Sequence, residues 1–211
     1  MNKNIQKAFA DGKAFIPFIT CGDPSLDVTE QLVYKMEKVG ADLIELGIPF
    51  SDPTAEGPVI QEANIRALSG GVTTDKIFDM VEKIRKNTQV PMVFMTYANV
   101  VFSYGTERFA KKAKEAEGFV YCVSSLGVTG VRSEITTDIG AMVELVKKQK
   151  EIPCAVGFGI SGPEQAKKMA AQSDGVIVGS AIVKLCEKYG KDCVPHVAAF
   201  VKEMKDAIRG L

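Results

Sequence analysis

A chain of 211 residues, 46% hydrophobic and 25% charged, is long enough for one sizeable core and short for two, so a single domain over residues 1–211 is expected. Lys plus Arg balance Asp plus Glu at 26 each and no run of five or more like charges occurs, which removes the electrostatic signature of a partner such as nucleic acid or an anionic membrane. The first fifteen residues hold no signal-peptide core and nowhere do about 18 apolar residues run together, so the expectation is a soluble, cytoplasmic protein.

In chain order, "AFIPFIT" (14–20) predicts a strand and "LDVTEQLVYKMEKVG" (26–40) an amphipathic helix. "DLIELGI" (42–48) is a second strand, followed by the Pro- and Gly-punctuated loop "PFSDPTAEGP" and the helix "TTDKIFDMVEKIRKN" (73–87), opened by Thr73 or Thr74. "PMVFMTY" (91–97), "GFVYCVS" (118–124), "IPCAVGFGI" (152–160) and "GVIVGS" (175–180) complete six readable strands. A helix starting after Thr106, another at "PEQAKKMAAQS" (163–173) behind Ser161 or Gly162, and the tail "VAAFVKEMKDAIRGL" (197–211) supply covering helices. Alternating strand and helix predicts a parallel α/β sheet or barrel, and strands apolar on both faces agree with a sheet buried under helices.

In such folds the chemistry gathers where strands end. The unusual residues stand there: Thr20 to Pro24, Glu45 to Gly57, Tyr97 to Asn99, Ser124 to Gly130, Gly157 to Ser161, and Gly179-Ser180. Two adjacent glycine-rich strand ends, each before a helix, suit a phosphate cradle, because helix N-termini present free N–H groups and a favourable dipole. The same glycines would also serve tight turns alone. Glu45, inside an otherwise buried strand, must either pair with a lysine from a covering helix or face a site, where burial would lift its pKa toward the range useful for proton transfer. Asp52 and Glu56 follow on the proline-restrained loop and offer a second carboxylate.

Five cysteines, Cys21, Cys122, Cys154, Cys186 and Cys193, without CxxC spacing suit a reducing compartment and buried thiols. The sole histidine, His196, lies in the last helix and reads as a surface or half-buried residue rather than the base of a cysteine nucleophile or a metal ligand. No metal site is expected.

"FIPFITCGDP", "ADLIELGIPFSDPTAEGPVIQEANIRAL", "VPMVFMTYANVVFSYG", "GFVYCVSSLGVTGVR", "PCAVGFGIS" and "DGVIVGSAIV", in this order, resemble the tryptophan synthase α subunit family, with "ELGIPFSDP…GP.IQ" and "GVTG" as specific signatures. The resemblance implies a TIM-barrel-like fold that cleaves indole-3-glycerol phosphate to indole and glyceraldehyde 3-phosphate by a retro-aldol reaction. It implies no cofactor of the chain's own, pyridoxal phosphate belonging to the β-subunit partner of an α2β2 assembly. By the same resemblance, Glu45 is the general acid/base, Glu56 holds the indole N–H, and Phe18 and Tyr97 line the indole pocket. Gly130, Gly159, Gly179 and Ser180 match the phosphate cradle, and Thr129 the loop that closes over substrate.

Three departures from the family pattern stand out. Glu56 occupies the place of an aspartate, and Ser125 that of an arginine. About two βα units are missing between "ERFAKKAKEA" and "EGFVYCVS", since a TIM barrel has eight strands. A six-strand sheet must close as a smaller barrel, stay open, or be completed by another chain. The alternative function is therefore a catalytically impaired phosphate-ligand-binding module that associates with a β subunit.

Overall fold

A computed structural model describes residues 3–53, 56–96, 119–123, 140, 143, 144, 153–157 and 159–211. Helix α1 (Lys3–Ala8) precedes strand β1 (Ala14–Thr20), helix α2 (Leu26–Lys38) and strand β2 (Ile44–Gly47). Helices α3 (Pro58–Ser69) and α4 (Thr74–Arg85) lead to β3 (Met92–Met95), followed by β4 (Val120–Val123) and β5 (Cys154–Gly157). Helix α5 (Pro163–Ala170), strand β6 (Gly175–Val178), helix α6 (Ser180–Tyr189), a 3-10 turn (Gly190–Asp192) and helix α7 (Cys193–Ile208) end the chain's described elements.

Local chemistry sets these boundaries. Ser25 accepts a hydrogen bond from the Val28 amide at 3.3 Å and Thr73 one from Lys76 at 3.3 Å, each satisfying an orphan donor at the start of its helix. Helices α3 and α5 instead start with proline behind a glycine cap, where the missing N–H costs nothing. The buried residues of α2, Val28, Leu32, Val33 and Met36, repeat at helical spacing and turn one face to the sheet. Gly22 has φ +88°, and a Cβ there would lie 2.3 Å from Val72 Cγ2, so only glycine lets the turn after β1 pass under α4's lead-in.

All six strands are parallel, in the order β3-β2-β1-β6-β5-β4. Neighbours in sequence are neighbours in space, and β1 closes onto β6 with Phe15 opposite Val176, as in a singly wound barrel. The break falls between β3 and β4, which no ladder joins among the described residues. Strands β2, β5 and β6 are buried throughout. Strand β3 departs from the expectation of burial on both faces: its residues are half-buried and Met95 is 39% exposed, because it is an end strand of this order.

Alternation along the strands divides the core into two shells. Phe15, Ile19, Ile44, Leu46, Val156, Val176 and Val178 face outward and pack with Leu32 and Met36 of α2 and Val197 and Val201 of α7. Ala14, Ile16, Leu43, Ala155 and Ile177 face inward and pack with Ile5 and Ala8 of α1. The short amphipathic α1, absent from the sequence expectation, thus plugs the inner shell at the end where the strands begin.

Among the described residues no helix is long and apolar enough to cross a membrane, and no cluster of three or more His, Cys, Asp or Glu could hold a metal. His196 is exposed and stacks on Tyr189, with ring centroids 3.6 Å apart, which agrees with a structural role. Cys21, Cys154, Cys186 and Cys193 are buried and form no disulfide.

Candidate active site at the strand ends

Glu45 shares the inner face with Leu43, by the two-residue period of β2, and stands opposite Phe18 of β1 and Val93 of β3. It is 2% exposed. Burial pushes its carboxyl up to about 8, so the side chain holds its proton at neutrality. No lysine from a covering helix reaches it among the described residues, and the salt-bridge reading of this position falls with its inward orientation. Tyr121 on β4 also faces inward, and its hydroxyl is held in the protonated form by burial and, once Glu45 ionises, by the charge of that neighbour.

Glycines shape the space around these groups. A Cβ on Gly47 would stand 2.6 Å from the Phe18 ring, and one on Gly179 would stand 3.2 Å from it. A Cβ on Gly157 would stand 2.2 Å from the Tyr121 hydroxyl. A side chain at Gly47 or Gly157 would force an aromatic ring to shift, and one at Gly179 would require the Phe18 ring to give by a small amount. Phe18 also packs against Ile60 and Ala63 of α3 and Val183 of α6, which gives the strand-end side one apolar wall.

Glu56 is tied to that wall. Asn64 of α3, 4% exposed, donates from Nδ2 to Glu56 Oε2 at 2.9 Å. Partial burial raises the Glu56 carboxyl while the Asn64 hydrogen bond pulls it back down. Asp52 is not gathered into the group: it is exposed and accepts a hydrogen bond from neighbouring Ser51 at 2.5 Å. Helix α3 is in turn fixed to the end of β1 by a two-pronged ion pair, Arg66 Nε and Nη2 to the two Asp23 carboxylate oxygens, each at 2.8 Å.

The two glycine-rich ends differ. Ahead of α5, Ser161 gives both its amide N–H and its hydroxyl to Gln165 Oε1, at 2.9 and 3.0 Å, so part of that helix start is already occupied. Gly159 in the same turn has φ +85°, a conformation that favours glycine. Ahead of α6, Gly179 is the cap residue and its carbonyl accepts from Ile182 and Val183, leaving Ser180 at the first helical position with the dipole's positive end. Gly179 and Phe18 are in contact, so this anion-favouring end adjoins the apolar wall.

Phe18, Glu45, Glu56, Gly159, Gly179 and Ser180 all lie on the strand-end side, whereas Tyr97, Ser125, Thr129 and Gly130 lie outside the described residues. Sequence reasoning missed Asn64 and Tyr121. A signal for Asn64 existed: the buried stripe of α3, Ile60, Ala63, Asn64 and Ala67, carries one polar residue at a core position.

The comparisons with known proteins agree with this architecture. The model of the family "Tryptophan synthase alpha chain" matches residues 5–117 and 113–209. The chain belongs to the tryptophan synthase alpha chain family. It is 40% identical to the tryptophan synthase alpha chain of Lacticaseibacillus casei over 248 aligned positions, which cover 95% of this chain and 93% of that protein. It is 39% identical to that of Caldanaerobacter subterraneus, covering 93% of this chain and 94% of that one. Among solved structures it resembles the Legionella pneumophila α subunit, with a TM-score of 0.83 at 32% identity, covering 100% of this chain and 98% of that one. A tryptophan synthase α2β2 complex from Pyrococcus furiosus matches at a TM-score of 0.82 and 30% identity, over 93% of this chain and 99% of the matched chain. The chain is thus a TIM-barrel-like lyase of tryptophan biosynthesis, and its activity is the α reaction.

The family match also locates the missing units. It falls into two parts that meet at residues 113–117, and the alignment with the L. casei protein is longer than the 211 residues of this chain, so the relatives carry residues that this chain lacks. The junction lies between β3 and β4, which no ladder joins among the described residues.

Proposed function

We propose that the chain, as a single phosphate-binding domain, cleaves the C–C bond between indole C3 and the glycerol phosphate side chain of indole-3-glycerol phosphate, with Glu45 as the proton carrier. Protonated at neutrality, Glu45 delivers its proton to indole C3, turning the ring into an electron sink. The carboxylate so formed takes the proton of the side-chain hydroxyl as the C–C bond breaks and the carbonyl of glyceraldehyde 3-phosphate forms. Aromaticity then returns to indole. Glu56 accepts the ring N–H and stabilises the positive charge that develops there. Phe18 and Tyr97 hold the ring. Gly179 and Ser180 at the start of α6, with Gly159 and Gly130, hold the phosphate, and Thr129 of "GVTG" belongs to the loop that closes over the substrate. The ring itself is the electron sink, so this route uses no cofactor of the chain's own.

The buried, inward-facing and protonated Glu45 is the observation that carries this reading. A pyridoxal-phosphate β subunit that receives the indole is the proposed partner, and the cytoplasm the proposed compartment. The absence of a ladder between β3 and β4 among the described residues favours a second reading, a phosphate-ligand-binding module with little catalysis of its own. Indole release from indole-3-glycerol phosphate by the purified chain, with Glu45→Gln alongside, separates the two. Activity lost in Glu45→Gln supports the proton role, and equal activity in both overturns it. An inactive parent that still binds glycerol phosphate supports the module.

A further inference from the structure

We propose that Asn64 is a positioning residue that fixes the Glu56 carboxylate through one oxygen and thereby aims the other at the indole N–H. The inference rests on the reading of Glu56 as the acceptor of that N–H. Glu56 is the last residue but one before α3, and the helix grips it twice. Gln61 Nε2 donates to the Glu56 backbone carbonyl at 2.7 Å, while Asn64 Nδ2 donates to Oε2 at 2.9 Å. An ionised carboxylate can only accept, so the amide nitrogen of Asn64 must be the atom that faces it.

The gripping helix is itself immobilised. Ile60 and Ala63 pack on Val183 of α6, and Arg66 forms its two-pronged pair with buried Asp23. Asn64 lies in the buried stripe between these anchors and has little freedom to follow a moving carboxylate. A glutamate side chain has three torsions to fix, and holding Oε2 removes most of that freedom before substrate arrives. Donation from Asn64 also favours the anion, the better acceptor for the N–H, against the partial burial that disfavours it.

The test uses two non-cleavable probes, an indole bearing an alkyl phosphate chain at C3 and its N-methyl counterpart, whose affinities are measured by calorimetry. The parent should prefer the N–H probe. Asn64→Ala should weaken that probe about tenfold, about 1.4 kcal/mol, and change the N-methyl probe less than about twofold. Asn64→Asp preserves the volume but sets two carboxylates against each other. Its affinity for the N–H probe should be low at neutral pH and recover on acidification, as the introduced carboxyl and Glu56 come to share one proton, a signature that a packing role does not produce. If the parent prefers the N–H probe and Asn64→Ala keeps that preference, Glu56 remains the acceptor and the role of Asn64 is overturned. If the parent shows no preference, Glu56 is not the acceptor and both readings fall. Equal weakening of both probes, with no recovery in Asn64→Asp, also overturns the positioning role.

Discussion

Replacing Glu45 by glutamine keeps the shape of the protonated side chain and removes its titration. The carboxyl rises from 4.5 to about 8 on burial, a cost to the ionised form of about 5 kcal/mol at 1.36 kcal/mol per pH unit. Below its unfolded pKa the group is neutral in both states and no penalty exists. As pH rises the unfolded chain ionises first and gains, so native stability falls until the folded pKa is passed. Between about pH 5 and about pH 8 the parent should lose about 3.5 kcal/mol of stability from this group. Glu45→Gln should lack that loss, matching the parent near pH 5 and exceeding it near pH 8. Urea unfolding at both pH values, with unchanged m-values, measures the difference. Curves for parent and variant that stay parallel within about 1 kcal/mol across this range would refute the argument that burial holds the Glu45 carboxyl well above its unfolded pKa.

Arg66→Ala leaves the Asp23 carboxylate buried and unpaired; because the Arg66 side chain is 31% exposed, about 2–3 kcal/mol of stability should go, at the low end for a broken buried pair, as a fall in urea midpoint. Gly22→Ala imposes a positive φ on alanine and drives its Cβ into Val72, and should cost more than about 2 kcal/mol, of which Val72→Ala in the same chain recovers only the steric part. Ser25→Ala removes the cap of α2 and should cost about 1 kcal/mol by the same assay. Cys21 is fully buried with its thiol pushed up to about 12, so it should react with an aromatic disulfide reagent only at the rate of unfolding; prompt reaction of the native Cys21 thiol would contradict that burial.

Much of the fold was legible because it depends on local rules. Six apolar runs became six parallel strands, and Thr73 and Pro163 mark helix starts by cap chemistry that acts within one turn, whereas α3, opened by Pro58 behind Gly57, was not anticipated. Glu45 was conspicuous for a similarly local reason, a charge inside a strand that otherwise reads as core. Helix α1 escaped notice, since six residues with two apolar anchors give too short a pattern to distinguish from a polar leader. Asn64 escaped because its meaning depends on a carboxylate eight positions earlier being folded back onto its helix.

The sequence by itself determined the six strands and their parallel arrangement, the family and the acidic residue in β2, all of which follow from periodicity and specific motifs. Only the tertiary structure decided that Glu45 turns inward, with no lysine partner among the described residues, that Asp52 faces solvent while Glu56 is held, and that no ladder joins β3 to β4 among those residues. Those outcomes rest on strand register and on contacts between residues far apart in the chain. A shift of one residue in register would exchange the inner and outer faces of β2 with no change in composition.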